Sequence, residues 1–214
     1  MVYMPENKPG ESVSEKWKGA WNIPAFRFRF VSGIAGVTLV LLSFPVFFQT
    51  IQLREGTPLQ DPFLSRFPAV DVSVFIFILI WAATIWMLIR AFRNPHLMLV
   101  FAWSYFILCL SRMLTIFMVP LEPPAGIIEL LDPLTNLFYG KHFVTKDLFY
   151  SGHTSTLALF TLLLEKRTEK WLMGLATVCL GVLLMIQHVH YTIDVLAAFP
   201  FTWIMYSLGK KMAI

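Results

Sequence analysis

Gln187-His188-Val189-His190-Tyr191-Thr192-Ile193-Asp194 joins two apolar segments, about Trp171 to Ile186 and Tyr191 to Leu208. If this stretch is helical, His190 and Asp194 stand four residues apart on one face, one turn from each other. The carboxylate can then accept a hydrogen bond from one imidazole nitrogen and leave the other free to react. Ionisable groups beside hydrocarbon are costly, so by default they mark a functional site. The competing reading is a polar pair that caps a helix end at the membrane surface.

Composition says which environment surrounds that pair. The chain has 214 residues, 57% hydrophobic and 14% charged, with a mean hydropathy of +0.67. A soluble domain carries about 25% charged residues, so this is an integral membrane protein. The length allows one helical bundle and no second sizeable domain. Net charge is +4, but the basic residues lie in short runs between apolar stretches. That pattern reports topology and excludes the basic patch of a nucleic-acid binder. Cys109 and Cys179 both fall inside apolar segments and read as buried thiols. The first thirty residues include Glu6, Lys8, Glu11, Glu15, Lys16 and Lys18 and lack the apolar core of a signal peptide.

Residues 1–30 form a first unit. Ser12-Val13-Ser14-Glu15 has capping-box spacing, and Trp17, Trp21, Phe26, Phe28 and Phe30 alternate with Lys16, Lys18, Arg27 and Arg29. This predicts a short helix on the membrane surface with cations toward headgroups. Residues 31–214 form the membrane domain, with apolar segments at about Val31–Phe48, Val72–Ile89, Leu97–Met118, Tyr150–Leu164, Trp171–Ile186 and Tyr191–Leu208. Several approach the roughly 20 residues that cross a bilayer. The expected fold is therefore all-α: a six-transmembrane-helix bundle with an N-terminal interfacial helix.

Basic residues orient the bundle. With the N-terminus inside, the cytoplasmic side receives Lys8, Lys16, Lys18, Arg27, Arg29, Arg90, Arg93, Lys166, Arg167, Lys170, Lys210 and Lys211, twelve of the seventeen Lys and Arg. The other side has Arg54, Arg66, Arg112, Lys141 and Lys146. This bias predicts both termini in the cytoplasm and long outer loops at 49–71 and 119–149. The starts of the fourth and sixth spans then face the same, extracytoplasmic side, which gathers His153, His188, His190 and Asp194, with Arg112 near the end of the third span. Of the histidines in the spans, only His96 lies opposite, beside Pro95.

Tyr150-Ser151-Gly152-His153-Thr154 opens the fourth span. Small residues at a helix start expose backbone N–H groups, where the helix dipole favours an anion. His153 there can protonate a leaving oxygen, and Arg112 is a forked, permanently charged match for phosphate. Two histidines, a carboxylate and an arginine on one face read as a phosphoryl site. His153, His188, His190 and Asp194 as metal ligands are the weaker alternative, because Arg112 opposes a cation. Tyr150 and Tyr191 are expected as interfacial anchors, and Lys141, His142, Lys146, Glu122, Glu129 and Asp132 as solvated loop charges.

Ser151-Gly152-His153 together with His190-x-x-x-Asp194 resembles the second and third signatures of the type 2 phosphatidic acid phosphatase superfamily. The chain is most similar to its sphingomyelin synthase branch. That branch carries Gly-Asp-x-x-x-Ser-Gly-His-Thr and His-x-His-Tyr-Thr-x-Asp-Val strings; here they read Lys146-Asp147-Leu148-Phe149-Tyr150-Ser151-Gly152-His153-Thr154 and His188 to Val195. Arg112-Met113-Leu114-Thr115 before Pro120 resembles the branch's arginine-containing segment. The likeness covers about Ser111 to Ala198 and the six-span layout. The chain lacks the wider superfamily's Lys-x6-Arg-Pro signature, and Leu183 and Leu184 stand where Ser-Arg would precede the nucleophile. Lys146 replaces the glycine before Asp147.

The resemblance implies a two-step phosphotransfer. His190 attacks phosphorus, Asp194 holds the imidazole, His153 serves as acid and then base, and Arg112 with helix-start N–H groups binds the phosphoryl oxygens. Tyr150, Ser151, Gly152 and His188 complete the expected substrate and phosphate contacts, with His188 as support or substrate contact. No metal or organic cofactor is required. The implied partners are a phospholipid donor and a lipid-alcohol acceptor such as ceramide or diacylglycerol, with no nucleic acid; monomer and oligomer both fit. Hydrolysis of a lipid phosphate, with water as acceptor, uses the same residues. A non-catalytic lipid-binding membrane protein is the third class, which the intact His153, His190 and Asp194 set argues against. The short, unsplit chain points to a bacterial-type inner membrane with the site on the extracytoplasmic side.

Overall fold

The computed structural model describes residues 10–130 and 144–213. Within them the protein is all-helical: α1 Val13–Trp21, α2 Pro24–Leu53, α3 Ser73–Phe92, α4 Pro95–Met118, α5 Gly152–Leu163, α6 Arg167–Ile186 and α7 Thr192–Ala213, plus one 3₁₀ turn at Leu64–Arg66. Five of these helices (α2, α3, α4, α6 and α7) are long and apolar enough to cross a membrane. At 12 residues, α5 is about 18 Å long, well short of a hydrocarbon core of about 30 Å.

The helix boundaries follow local chemistry. Asn94 caps α4 by accepting from the His96 and Leu97 N–H groups, and Pro95 takes the first helical position, where its missing N–H costs nothing. The expected capping box is present at α1: Ser12 N–H donates to Glu15 Oε2 (2.7 Å) and Glu15 N–H to Ser12 Oγ (3.3 Å). α2 starts well before the apolar run at Val31, because Phe26 and Phe30 continue the buried face of the helix; they stack on each other and meet Trp17 and Trp21 edge-on. Thus α1 is held against the bundle by aromatic packing, with Trp17 Nε1 donating to the Phe92 carbonyl.

Helix ends sort into two faces. At one, Arg29 of α2 donates to the Ala213 carbonyl at the end of α7, and Arg90 near the end of α3 pairs with Glu169 at the start of α6 (3.2 Å). At the other, Arg54 just past α2 donates to the Ile116 and Phe117 carbonyls at the end of α4. There too Gln187 after α6 accepts from Val72 N–H (3.1 Å) and donates to Ser73 Oγ (2.8 Å) at the start of α3. Both the N-terminal helix and the end of α7 therefore lie at one face, and the loops 54–72, 119–130 and 144–151 meet at the other.

α4 is the central helix, packed mainly on α7 and α2, while α5 packs on α6 and α7. Close approach needs small residues. A Cβ on Gly209 of α7 would come 2.6 Å from both the backbone N and the Oγ of Ser104 in α4, a small-residue crossing of the kind that lets membrane helices touch along their backbones. Large apolar side chains point outward, among them Leu42, Val74, Phe117, Trp171 and Trp203. Cys109 is buried as expected, but Cys179 is exposed. It lies on the outward stripe of α6 with Leu172, Leu175, Val178 and Val182, so an apolar segment did not mean a buried thiol.

Candidate active site

α5 is short because its first turn begins inside the bundle. Ser151 is the N-cap, its Oγ accepting from Thr154 N–H (3.4 Å) and donating to Thr154 Oγ1 (3.0 Å). Ser151 and Gly152 are buried, and the Arg112 guanidinium lies directly against Gly152, occupying the space a Cβ would fill. Arg112 is six residues before the end of α4, so the start of α5 is recessed by about 9 Å from that end.

Two groups hold Arg112. Its Nε donates to the Tyr150 carbonyl (3.2 Å) and its Nη2 to Asp147 Oδ1 (2.5 Å). Arg112 is 7% exposed and Asp147 half-buried, so their charge-assisted bond is partly shielded from solvent. Asp147, which follows Lys146 where the resembled branch has glycine, is thus the partner of the arginine. A cavity of about 190 Å³ opens beside them, lined by Arg112, Asp147, Gly152, His153, Thr156 and apolar residues of α2 to α5. Guanidinium, helix N-terminus and imidazole share one chamber.

His190 and Asp194 are not among the residues lining that chamber. The expected helix through Gln187–Asp194 is not formed: α6 ends at Ile186, His188 takes a φ of +55°, and α7 starts at Thr192. A left-handed residue stops a helix. His190 therefore lies in the turn before α7, and Asp194 in its first turn reaches back. Its Oδ2 accepts from Tyr191 N–H (3.1 Å) and stands 3.4 Å from His190 Nδ1. The pair is joined across a helix N-terminus, where the dipole favours a carboxylate, rather than along a helix face. The capping interpretation holds in part, since Asp194 does cap, yet His190 and Asp194 are 2% and 0% exposed and not at a surface. Asp194 Oδ1 is buried and meets no hydrogen-bond partner among the described residues.

One backbone contact ties the two halves together. Ser151 N–H donates to the Asp194 carbonyl (3.0 Å), so the Tyr150–His153 strip runs between Arg112 of α4 and Asp194 of α7. Tyr150 is fully buried, stacked on Phe201 at 4.8 Å, with its hydroxyl 3.0 Å from Ser111 Oγ. Tyr191 is buried too, its hydroxyl donating to the Glu122 carbonyl (3.0 Å) and accepting from Leu59 N–H. Neither tyrosine is an interfacial anchor; each uses its hydroxyl to pin a loop.

The loops at this end of the bundle are knitted by charges, of which Lys146 and Glu122 were expected to be solvated. Lys146 Nζ pairs with Glu122 Oε1 (2.8 Å) and donates to the Arg54 carbonyl (2.5 Å). The same carboxylate accepts from Gly56 N–H, and the Lys146 bond holds it below the usual carboxylate range. Asp61 reaches α7 from 131 residues away, accepting from Thr192 N–H (2.7 Å) and Oγ1 (3.1 Å) as well as from Phe63 and Leu64 N–H. Burial raises the Asp61 carboxyl, but these donors outweigh it and leave the group below its ordinary value. Asp132, Lys141 and His142 lie outside the described residues. Among the described residues no three His, Cys, Asp or Glu side chains converge as a metal site.

His188 stands apart from the chamber. Its Nδ1 is 2.9 Å from the Ala125 carbonyl, and its ring lines a second cavity of about 480 Å³ with Asp61, Pro124 and Tyr191.

Comparison with known proteins covers the C-terminal part of this arrangement. The family model described as PAP2 superfamily C-terminal matches residues 146–211, which include Asp147, Ser151, His153, His190 and Asp194. The match supports the type 2 phosphatidic acid phosphatase superfamily and with it phosphatase or phosphotransferase chemistry on lipids. Arg112 and α1 to α4 lie outside the matched residues. No curated protein and no solved structure matches the chain.

Proposed function

We propose that this protein is a membrane lipid phosphotransferase, moving a phospho-headgroup from a phospholipid to a lipid alcohol such as ceramide or diacylglycerol through a phosphohistidine on His190. One observation carries it: the Tyr150–His153 strip is bonded to Arg112 on one side and to Asp194 on the other. A cation, a helix N-terminus, an acid–base imidazole and a carboxylate-supported imidazole thereby belong to one unit.

In the first half-reaction His190 Nε2 attacks phosphorus and the P–O bond to the donor lipid breaks. His153 gives a proton to the departing oxygen. Asp194 accepts from Nδ1–H and stabilises the cationic ring; the 3.4 Å separation tightens as charge develops. Arg112 and the N–H groups at the start of α5 hold the non-bridging oxygens, where negative charge builds up. In the second half-reaction His153 removes the proton of the acceptor hydroxyl, whose oxygen attacks phosphorus and releases His190. Ser151, Gly152 and Tyr150 act through this strip by shaping the phosphate seat. The reaction needs no metal or organic cofactor.

The protein crosses the membrane six times with both termini in the cytoplasm, and the site faces the extracytoplasmic side, in a bacterial-type inner membrane. Alternation of helix ends among the described residues and the sequence bias of twelve of the seventeen Lys and Arg toward the terminal side support this topology. The short α5 completes the fourth crossing with residues 144–151, non-helical backbone that is tolerated at membrane depth when buried in protein. Impermeant thiol labelling of intact cells, with Cys109 and Cys179 replaced, should modify Ser65→Cys and spare Lys166→Cys; equal labelling of the two would refute the topology.

The activity is tested with purified protein, a phospholipid labelled in its headgroup, and ceramide or diacylglycerol, with products resolved by mass. Transfer predicts label in a new lipid, lost in His190→Ala. Label only in free headgroup phosphate would establish hydrolysis instead, and turnover insensitive to His190→Ala would remove the histidine from the mechanism.

A further inference from the structure

The chamber beside Arg112 is longer than a phosphate needs. On α4 its lining runs from Arg112 back to Tyr105, about 10 Å along the helix, and on α5 it runs from Gly152 to Leu157. Both lines lead away from the loop face, so the chamber descends from the anion seat between the helices. Across from them α3 supplies Ile80 and Thr84, one turn apart, and α2 supplies Phe44. α2 and α3 each pack on α4 but form no main interface with one another. Thr84 lies about 16 Å along α3 from its start at Ser73, whereas Arg112 is about 9 Å from the matching end of α4. The Thr84 hydroxyl is the unexplained group in this lining. A threonine inside a helix commonly returns its hydroxyl to the carbonyl four residues back, as Thr50, Thr161 and Thr177 do. Thr84 makes no such bond, and among the described residues its Oγ1 has no hydrogen-bond partner. The residue is half-buried, and its oxygen is not among the sealed ones. At membrane depth a hydroxyl with nothing to meet it is unfavourable.

We infer that the lower chamber seats an acyl carbonyl of the lipid processed beside Arg112 and His153, with Thr84 Oγ1 donating to it. The inference rests on the phosphotransfer reading of that site. By the helix rise Thr84 is about 7 Å deeper than Arg112, and in a glycerolipid the first acyl carbonyl lies one glycerol unit from the reacting oxygen. The volume of about 190 Å³ holds about six water-sized groups. That admits a polar linkage but not acyl chains, which pass between α2 and α3 into the bilayer. Around Thr84 the lining is apolar, with Phe44, Ile80, Leu108 and Leu157. Thr156, the other threonine there, already donates to the Gly152 carbonyl (2.8 Å). Two sources share the required chemistry: an acyl carbonyl of the donor phospholipid, or one of the acceptor alcohol.

The test is equilibrium binding of radiolabelled lipid to the full chain carrying His190→Ala, in detergent. Diacyl phosphatidic acid is compared with its dialkyl ether analogue, which keeps phosphate and chains but has no carbonyl, and diacylglycerol with dialkylglycerol. We expect the ester to bind about threefold to tenfold more tightly in at least one pair; the pair that shows it identifies donor or acceptor. Thr84→Val keeps the branched shape and deletes the hydroxyl. It should abolish the preference at an unchanged unfolding midpoint, whereas Thr84→Ser should retain it. Thr84→Ala serves if Thr84→Val does not fold. Thr38→Val, at an exposed position of α2, is the control and should leave the preference intact. No preference in either pair, or one that survives loss of the Thr84 hydroxyl, overturns the assignment. Binding is read without His190, so absence of turnover in the wild type would refute the phosphotransfer reading on its own.

Discussion

Gly152→Ala separates the anion seat from the fold. Gly152 opens α5 in an ordinary helical conformation, so the only new constraint is the methyl group. That methyl would lie 2.6 Å from Arg112 Nη2 and in overlap with the Cζ and Nη1 atoms, against about 3.5 Å for a relaxed contact. The guanidinium has to retreat by about 1 Å, away from the Tyr150 carbonyl and Asp147 that hold it. Overpacking of this kind costs about 1–3 kcal/mol, and alanine in a helix returns about 0.5–1 kcal/mol. The net loss of stability is then about 1–2 kcal/mol, which leaves a folded protein. Catalysis is far more sensitive. Displacing one preorganised donor from the developing charge costs about 2.7–4 kcal/mol, a factor of 10²–10³ in turnover. The assay is initial rate with labelled phospholipid, alongside thermal unfolding in the same detergent. Gly174→Ala is the control, because its methyl meets only Thr161 Cγ2 at an ordinary 3.6 Å and should leave the rate unchanged. Wild-type turnover in a folded Gly152→Ala protein would refute the assignment of the phosphate seat to this guanidinium.

Asp194→Asn keeps an oxygen for the Tyr191 N–H but removes the charge beside His190, so turnover should fall by about 10²–10⁴ while the unfolding midpoint moves little; a parallel loss of both would make Asp194 a structural cap. Asp61→Asn removes the charge that holds α7 to the 54–72 loop, at a cost of about 0.5–2 kcal/mol at neutral pH. The Asp61 carboxyl lies below its ordinary value in the folded protein, so its contribution is fully present above the unfolded value of about 3.9 and fades as pH falls through the folded one. Unfolding midpoints of wild type and variant should converge in acid, and a constant gap down to pH 2 would refute the linkage. Gly209→Val wedges α4 from α7 at Ser104 and should cost about 3 kcal/mol or more, read as loss of the folded species in size exclusion.

The all-helical class and the extents of most helices follow from apolar runs and caps, which are local in the chain. Ser12 with Glu15 starts α1 as their spacing predicts. The residues of the proposed site were also legible as types: Ser151-Gly152-His153, and His190 with Asp194. Their relations were not. Spacing of four suggested a helical face for His190 and Asp194, yet the left-handed turn at His188 and the start of α7 at Thr192 join them across a helix end. Charge bias groups Arg112 with His153, His190 and Asp194 on one side of the chain's expected layout. The contact of Arg112 with Gly152, and its hold by Tyr150 and Asp147 some 38 and 35 residues away, came only with the packing of α4 on the recessed start of α5. Lys146 and Glu122 look like solvated loop charges because composition carries no information about partners. Local sequence determines which helices form and which side chains stand at their ends. Where those ends meet depends on contacts between residues far apart in the chain, made once the apolar faces have packed, and that packing turned scattered polar residues into a site.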